Sequence, residues 1–291
     1  MNENEHLKRG EKGAWLSITA YLVLATAKLI VAYIGDSEAL RADGLNNATD
    51  IVASVAVLIG LKISRKPPDS DHHYGHTRAE SIASLVAAFV MITVGIEVVW
   101  NTVSTLLNGE TSTPSMLTAY TAIASAFVML GVYRYNLQLA RKIQSSSLYA
   151  QSKDNLSDCL VSFGAFVGII GAQFGAYWLD PVTGVIVGLI ICKTAFEIFR
   201  DASHTLTDGF DQKELTNIKG SIQEVQGVKK VRDIKARKHG KHILVEATIL
   251  VNPSLTVEES HEISDNVEDY LDNEFGVTHA HIHIEPYKKK T

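Results

Sequence analysis

The chain has 291 residues and a net charge of −5 at pH 7, with a pI near 6.1, an acidic balance that argues against nucleic acid as a partner. Its mean hydropathy of +0.08 averages two unlike parts. Residues 14–199 are dominated by apolar runs, whereas 208–291 mix Lys, Asp, Glu and His densely, which fits a membrane part followed by a soluble part better than one globular domain.

The opening stretch "MNENEHLKRGEKG" is too charged for a signal peptide, and the first apolar run is expected to be retained as a span. Crossing a bilayer takes about 20 residues. Six segments reach that length: 14–35, 39–62, 80–107, 116–137, 147–172 and 178–199. The second and fifth contain charges, so a plain hydropathy window is expected to score both poorly. Lys8, Arg9 and Lys12 precede the first span, Arg65, Lys66 and Arg78 lie between the second and third, and Arg134, Arg141 and Lys142 surround the junction of the fourth and fifth. The alternate loops "NGETSTPS" and "GAQFGAYWLD" carry no Lys or Arg. The positive-inside rule then puts both termini in the cytoplasm.

Glycines four residues apart (Gly164 and Gly168, Gly171 and Gly175, Gly184 and Gly188) suggest close contact between the fifth and sixth helices. Cys159 and Cys192 each sit inside an apolar run and read as small buried hydrophobes. Two domains follow: a six-helix transmembrane part over 1–207 and a soluble part over 208–291. The latter reads helix, strand, strand, helix, strand, with a hairpin around Gly240 and a Thr-capped second helix with an acidic first turn. Two helices against a small three-stranded sheet make a compact α+β module.

The stretch "DGLNNATD" runs straight into the uncharged "IVASVAVLIGL", and the fifth span opens "SKDNLSD". Asn46 and Asp50 are four apart, as are Asp154 and Asp158, so each pair shares a helix face. A charged side chain at the centre of a membrane helix costs about 2.5–3.5 kcal/mol, and intramembrane carboxylates by default mark an ion or proton path. If Lys62 and Lys142 both mark the cytoplasmic boundary, Asp50 and Asp154 each lie about 18 Å deep, and Asn46 and Asp158 about 24 Å, at a rise of about 1.5 Å per residue. In antiparallel spans the two pairs meet at one level, and four oxygen donors converge. Reading Asp154 and Asp158 as a helix cap instead makes those matched depths an accident. Asp43, a turn further out, is unassigned. Three acids this close cannot all stay charged without a cation, and protons can replace a departing metal.

In the loop "PPDSDHHYGHTRAES", Asp69, His72 and His76 form either a metal site or a solvated turn. In the tail, His279, His281 and His283 alternate along one strand face that continues to Glu285, and His261 lies on the preceding helix. These are either one or two metal ligands or a solvated sheet face. No Gly-rich phosphate loop and no Ser/His/Asp order points to an enzyme.

Together these residues resemble the cation diffusion facilitator family of metal–proton antiporters. The resemblance covers nearly the whole chain, and "YGHTRAES" and "LDPVTGVIVGLII" are also characteristic. It implies a multi-pass α-helical membrane protein with six transmembrane helices and a C-terminal cytoplasmic α+β domain of metallochaperone-like, ferredoxin-type fold. It implies a homodimer in the cell membrane that exchanges divalent metal ions for protons and needs no cofactor. The family's transport site falls on Asn46, Asp50, Asp154 and Asp158, and its loop site on Asp69, His72 and His76. The cytoplasmic site matches only through His261, His283 and Glu285, because Arg232 and Ala247 stand where zinc-transporting members offer histidines. Arg78 and Asp208 match a charge interlock that helps hold family dimers together.

The donors bear on the ion. All four transport-site ligands are oxygens, which suit Mn²⁺, whereas imidazole suits Zn²⁺. The Asn-x-x-x-Asp and Asp-x-x-x-Asp pairing also resembles the family's manganese branch. Mn²⁺ is favoured over Zn²⁺, with Fe²⁺ and Co²⁺ behind. The alternative of a different class is a membrane-anchored metal sensor without transport, against which the insertion cost of mid-membrane carboxylates argues.

Overall fold

A computed structural model describes residues 3–64, 66–108, 113–143, 146–239 and 242–288. Six long helices come first: α1 (Glu3–Gly35), α2 (Glu38–Ser64), α3 (Ala79–Asn108), α4 (Met116–Ile143), α5 (Ser146–Gln173) and α6 (Leu179–Leu206). The rest runs α7 (Gln212–Glu224), β1 (Lys230–His239), β2 (His242–Val251), α8 (Val257–Phe275) and β3 (Val277–Pro286). The chain divides into two compact units, Met1–Val57 with Val86–Ile198, and Leu58–Leu85 with Phe199–Thr291.

In the first unit, α1 packs on α4 and α5, and α4 on α5. The buried contacts are made by small residues: Ala32, Ala39, Ala119, Ala122 and Ala165 share one cluster with Leu40 and Ile169. Bulky side chains such as Val23, Ile30, Phe89, Trp100, Phe127, Phe163 and Phe196 point outward. Apolar outside and small or polar inside is the arrangement of a bundle solvated by lipid.

Among the described residues, five helices are long and apolar enough to cross a membrane, α5 among them. The expectation that α5 would score poorly is thereby corrected, since the uncharged run after Asp158 outweighs the charges before it. α2 is one uninterrupted helix of 27 residues, about 40 Å long at 1.5 Å per residue, and "DGLNNATD" lies inside it rather than in a loop. Ser37 caps it, its hydroxyl accepting from the Leu40 N–H at 3.1 Å. The same hydroxyl donates to Asp180 of α6 at 2.6 Å. Asp180 also accepts the backbone N–H groups of Glu38 at 2.8 Å and Ala39 at 3.3 Å. A carboxylate on the orphan N–H groups of a helix start satisfies both the hydrogen bonds and the helix dipole.

The glycine expectation holds for one helix and fails for the other. A methyl group at Gly168 or Gly171 of α5 would collide with Thr183 and Leu179 of α6. Gly184 and Gly188 of α6 instead face the start of α2 and α3: a methyl at Gly188 would lie 2.8 Å from Val99, and one at Gly184 3.2 Å from Glu38. Gly164 meets open space, and Gly175 sits at φ 95° in the turn after α5.

In the second unit, the sheet order is β1-β2-β3, with β1 antiparallel and β3 parallel to β2. The parallel pair is joined through α8. Ile218 and Ile222 of α7, Val267 and Leu271 of α8, and Val231, Val245, Ile249 and Val277 of the sheet form one continuous core. Asp211 caps α7, accepting from Lys213 and Glu214 N–H groups. Thr256 and Glu259 close a capping box on α8. The helix–strand–strand–helix–strand order is as the sequence predicts.

Candidate transport site

Asn46, Asp50, Asp154 and Asp158 line one cavity of about 330 Å³, together with Tyr21 of α1, Met91 of α3, and Ile190 and Thr194 of α6. Asn46 Nδ2 donates to Asp158 Oδ1 at 3.0 Å and reaches Asp50 Oδ2 at 3.4 Å. The cavity follows α2 from Asn46 to Ser54, α5 from Val161 back to Gln151, and α6 on to Ile198. It thus extends from the Asn46–Asp158 level toward the end of the bundle where α6 leads into the soluble domain.

Asp158 is 6 % exposed and gripped on both oxygens. Its Oδ2 lies 2.8 Å from the Tyr21 hydroxyl, which also lies 2.9 Å from Asn155 Oδ1. Asn155 in turn donates to Ser17 Oγ, which also accepts from Asn136. This buried chain of hydrogen bonds runs through α1, α4 and α5 and fixes the Asp158 rotamer. Tyr21 carried no pattern in the sequence that would single it out.

A second polar cluster lies beyond the site. Lys28 Nζ donates to Asp43 Oδ1 at 2.9 Å, Asn47 Oδ1 at 2.6 Å and Ser162 Oγ at 2.9 Å. All four residues are fully buried. Asp43, unassigned from the sequence, thereby has a cationic partner. Lys28 was overlooked, yet the signal was present: a lysine in the run "ATAKLIVAY" must find an anion to be tolerated at that depth.

In the second unit, Asp69, His72 and His76 gather with one ligand atom each within 4.8 Å of one another. Asp69 Oδ1 accepts the His72 N–H at 2.8 Å and the Asp71 N–H at 3.0 Å. These bonds, the one from His72 first, hold its carboxyl below the usual carboxylate range. His76 Nε2 stands 3.4 Å from Asp69 Oδ2. Arg78 and Asp208 pair at 2.6 Å within the one chain, and Arg78 also donates to His239 Nδ1 at 3.4 Å. Burial and the nearby Arg78 guanidinium push the His239 imidazole below its ordinary value.

The tail set does not gather. His261 faces Asp265 of its own helix at 3.7 Å, His283 stands 3.8 Å from Glu285, and Glu285 is paired with Arg232. The cation at 232 thus engages Glu285, the carboxylate of the set. His279, His281 and His283 pair in register with Leu244, Glu246 and Thr248 and are exposed.

Comparison with known proteins finds two family models. The cation efflux transmembrane domain matches residues 14–207, and the cation efflux protein cytoplasmic domain matches 210–287. An uncharacterized transporter of Bacillus subtilis, YdbO, is 54 % identical over 98 % of this chain and 99 % of its own. The manganese efflux system protein MneS of the same bacterium is 49 % identical over the whole of both chains. A second manganese efflux system protein, MneP, is 30 % identical over 98 % of each.

Proposed function

The chain belongs to the cation efflux family, and from that premise we propose that it exports Mn²⁺ from the cytoplasm in exchange for protons, as a homodimer in the cell membrane with both termini inside. One observation carries the reading: three carboxylates and one amide, on two antiparallel helices, line a single cavity inside the bundle. A full-length relative named for manganese efflux supports the choice of ion.

The ion enters the cavity from the end where α6 leads into the tail and replaces the protons shared by Asp50, Asp154 and Asp158. Like charges so placed keep protons until a cation arrives, so loading and deprotonation are one exchange. Tyr21 has one proton for two acceptors. When it donates to Asn155, Asp158 carries the proton on Oδ2, and when Asp158 is ionised the hydroxyl turns to it. Asn46 gives its amide nitrogen to the carboxylates and would offer its oxygen to the ion. Asp69, His72 and His76 would hold a second ion in the loop, and the Arg78–Asp208 pair would brace the dimer.

The test is Mn²⁺ uptake into proteoliposomes under an imposed pH gradient. Asp158→Ala abolishes uptake, and full transport by that variant would sink the assignment. A protein whose tail binds metal but whose liposomes show no ion flux is a sensor rather than a carrier.

A further inference from the structure

Lys28, Asp43, Asn47 and Ser162 stand in a regular relation to the proposed metal ligands. Asp43 precedes Asn46 by about one turn of α2, Ser162 follows Asp158 by about one turn of α5, and Lys28 follows Tyr21 by about two turns of α1. Each step leads away from the end toward which the cavity extends, since none of the four lines the cavity while Ser54, Gln151 and Ile198 do. The three ammonium protons meet three acceptors, so the lysine is held fully satisfied, as a buried charge must be. Ser162 also donates to Asp43 Oδ1 at 3.2 Å. Asp43 Oδ2, by contrast, is buried with no hydrogen-bond partner.

From this arrangement we propose that Lys28 is a tethered cation that closes the exit side of the transport path, and that Asp43 exchanges Lys28 for the departing metal ion. The inference rests on the transport reading above. A fixed positive charge beyond the site repels a divalent cation, so a loaded carrier cannot leak forward while Lys28 is docked. Opening draws Lys28 off Asp43 and uncovers a carboxylate whose second oxygen is already free to accept. The ion leaves through that carboxylate, and the returning ammonium displaces it. Lys28 is thus a positioning residue for release, not a ligand of the central site.

The experiment compares wild type with Lys28→Met/Asp43→Asn, a pair that removes both charges and strands neither, and with Ser162→Ala, which removes one acceptor of the ammonium. Three quantities are read: Mn²⁺ affinity of the detergent-solubilised protein, proton-driven uptake in liposomes, and passive Mn²⁺ leak with the pH gradient collapsed. The double variant is expected to raise the ratio of leak to driven uptake at least about tenfold, the order of a lost hydrogen bond to a charged group. Ser162→Ala moves the ratio the same way by less. A lysine with a merely structural role lowers the yield of folded protein and leaves the ratio alone. An unchanged ratio in Ser162→Ala, and in the double variant where it folds, overturns the proposal. Failure of the transport reading is seen separately, as a wild type that neither binds nor moves Mn²⁺.

Discussion

An amide is neutral, donates from one atom and accepts at another, and Asn46 acts as a donor here, bonding Asp158 and Asp50 through its nitrogen. Asn46→His is expected to shift the ratio of Mn²⁺ to Zn²⁺ flux toward zinc, because imidazole suits Zn²⁺ better than an amide oxygen does. A ratio unchanged by that substitution removes the argument from oxygen donors. Tyr21→Phe deletes one hydrogen bond to a carboxylate and is expected to slow proton-driven uptake about tenfold while Mn²⁺ affinity changes less. Wild-type uptake by this variant would separate Tyr21 from the proton step. At this scale the sequence was legible where residues repeat at a spacing, as in Asn46/Asp50 and Asp154/Asp158. Single residues such as Tyr21 and Lys28 have no spacing to betray them, and only their tertiary partners identify them.

Among the elements, the clamp between α2 and α6 is the clearest target. Asp180→Ala strips one hydroxyl and two backbone N–H groups of their acceptor at a buried position. Each such orphan costs about 1–3 kcal/mol, so the variant should aggregate at a lower temperature in detergent than wild type. An unchanged midpoint would mean that water replaces the carboxylate there. The helices and their order are legible from apolar length, because a span must satisfy its own backbone. Which neighbour a glycine faces is not. Gly168 and Gly188 look alike in one dimension, yet one admits α6 and the other α3, a choice made by the rotation of each helix within the bundle.

For the whole molecule, the soluble domain has a core of its own and two helices whose starts each engage an acid, Asp211 as the cap of α7 and Glu259 in the capping box of α8. Asp211 is held below its ordinary value by the N–H groups of Glu214 and Lys213, and Glu259 by the Thr256 N–H and hydroxyl. Both folded-state values are depressed, so the caps stabilise the fold fully above about pH 4.3, the ordinary glutamate value. That stability is lost as pH falls through the lower folded values. The domain expressed alone should therefore lose stability below about pH 4, followed by circular dichroism against denaturant at each pH. Asp211→Asn should flatten that dependence, and an equally steep one would exclude the cap as a cause. The domain's helix and strand order was legible from caps and alternation. The pairing of Glu285 with Arg232 was not, because it depends on β1 and β3 flanking β2 in one sheet.

Ser37 and Asp180 also make α2 a lever. Its first turn is pinned at one end, and Asp50 sits thirteen residues further along, about 20 Å from that fulcrum at 1.5 Å per residue. A tilt of about 10° about the pin carries Asp50 sideways by about 3 Å and moves Asp43, nearer the pivot, by roughly half as much. One rigid rotation of that kind would give the proposed metal ligands a longer stroke than the Lys28 contact. The same tilt that shifts Asp50 would thus also stretch the 2.9 Å contact of Asp43 with Lys28 beyond hydrogen-bond range, which couples the centre of the bundle to the buried lysine through one pivot.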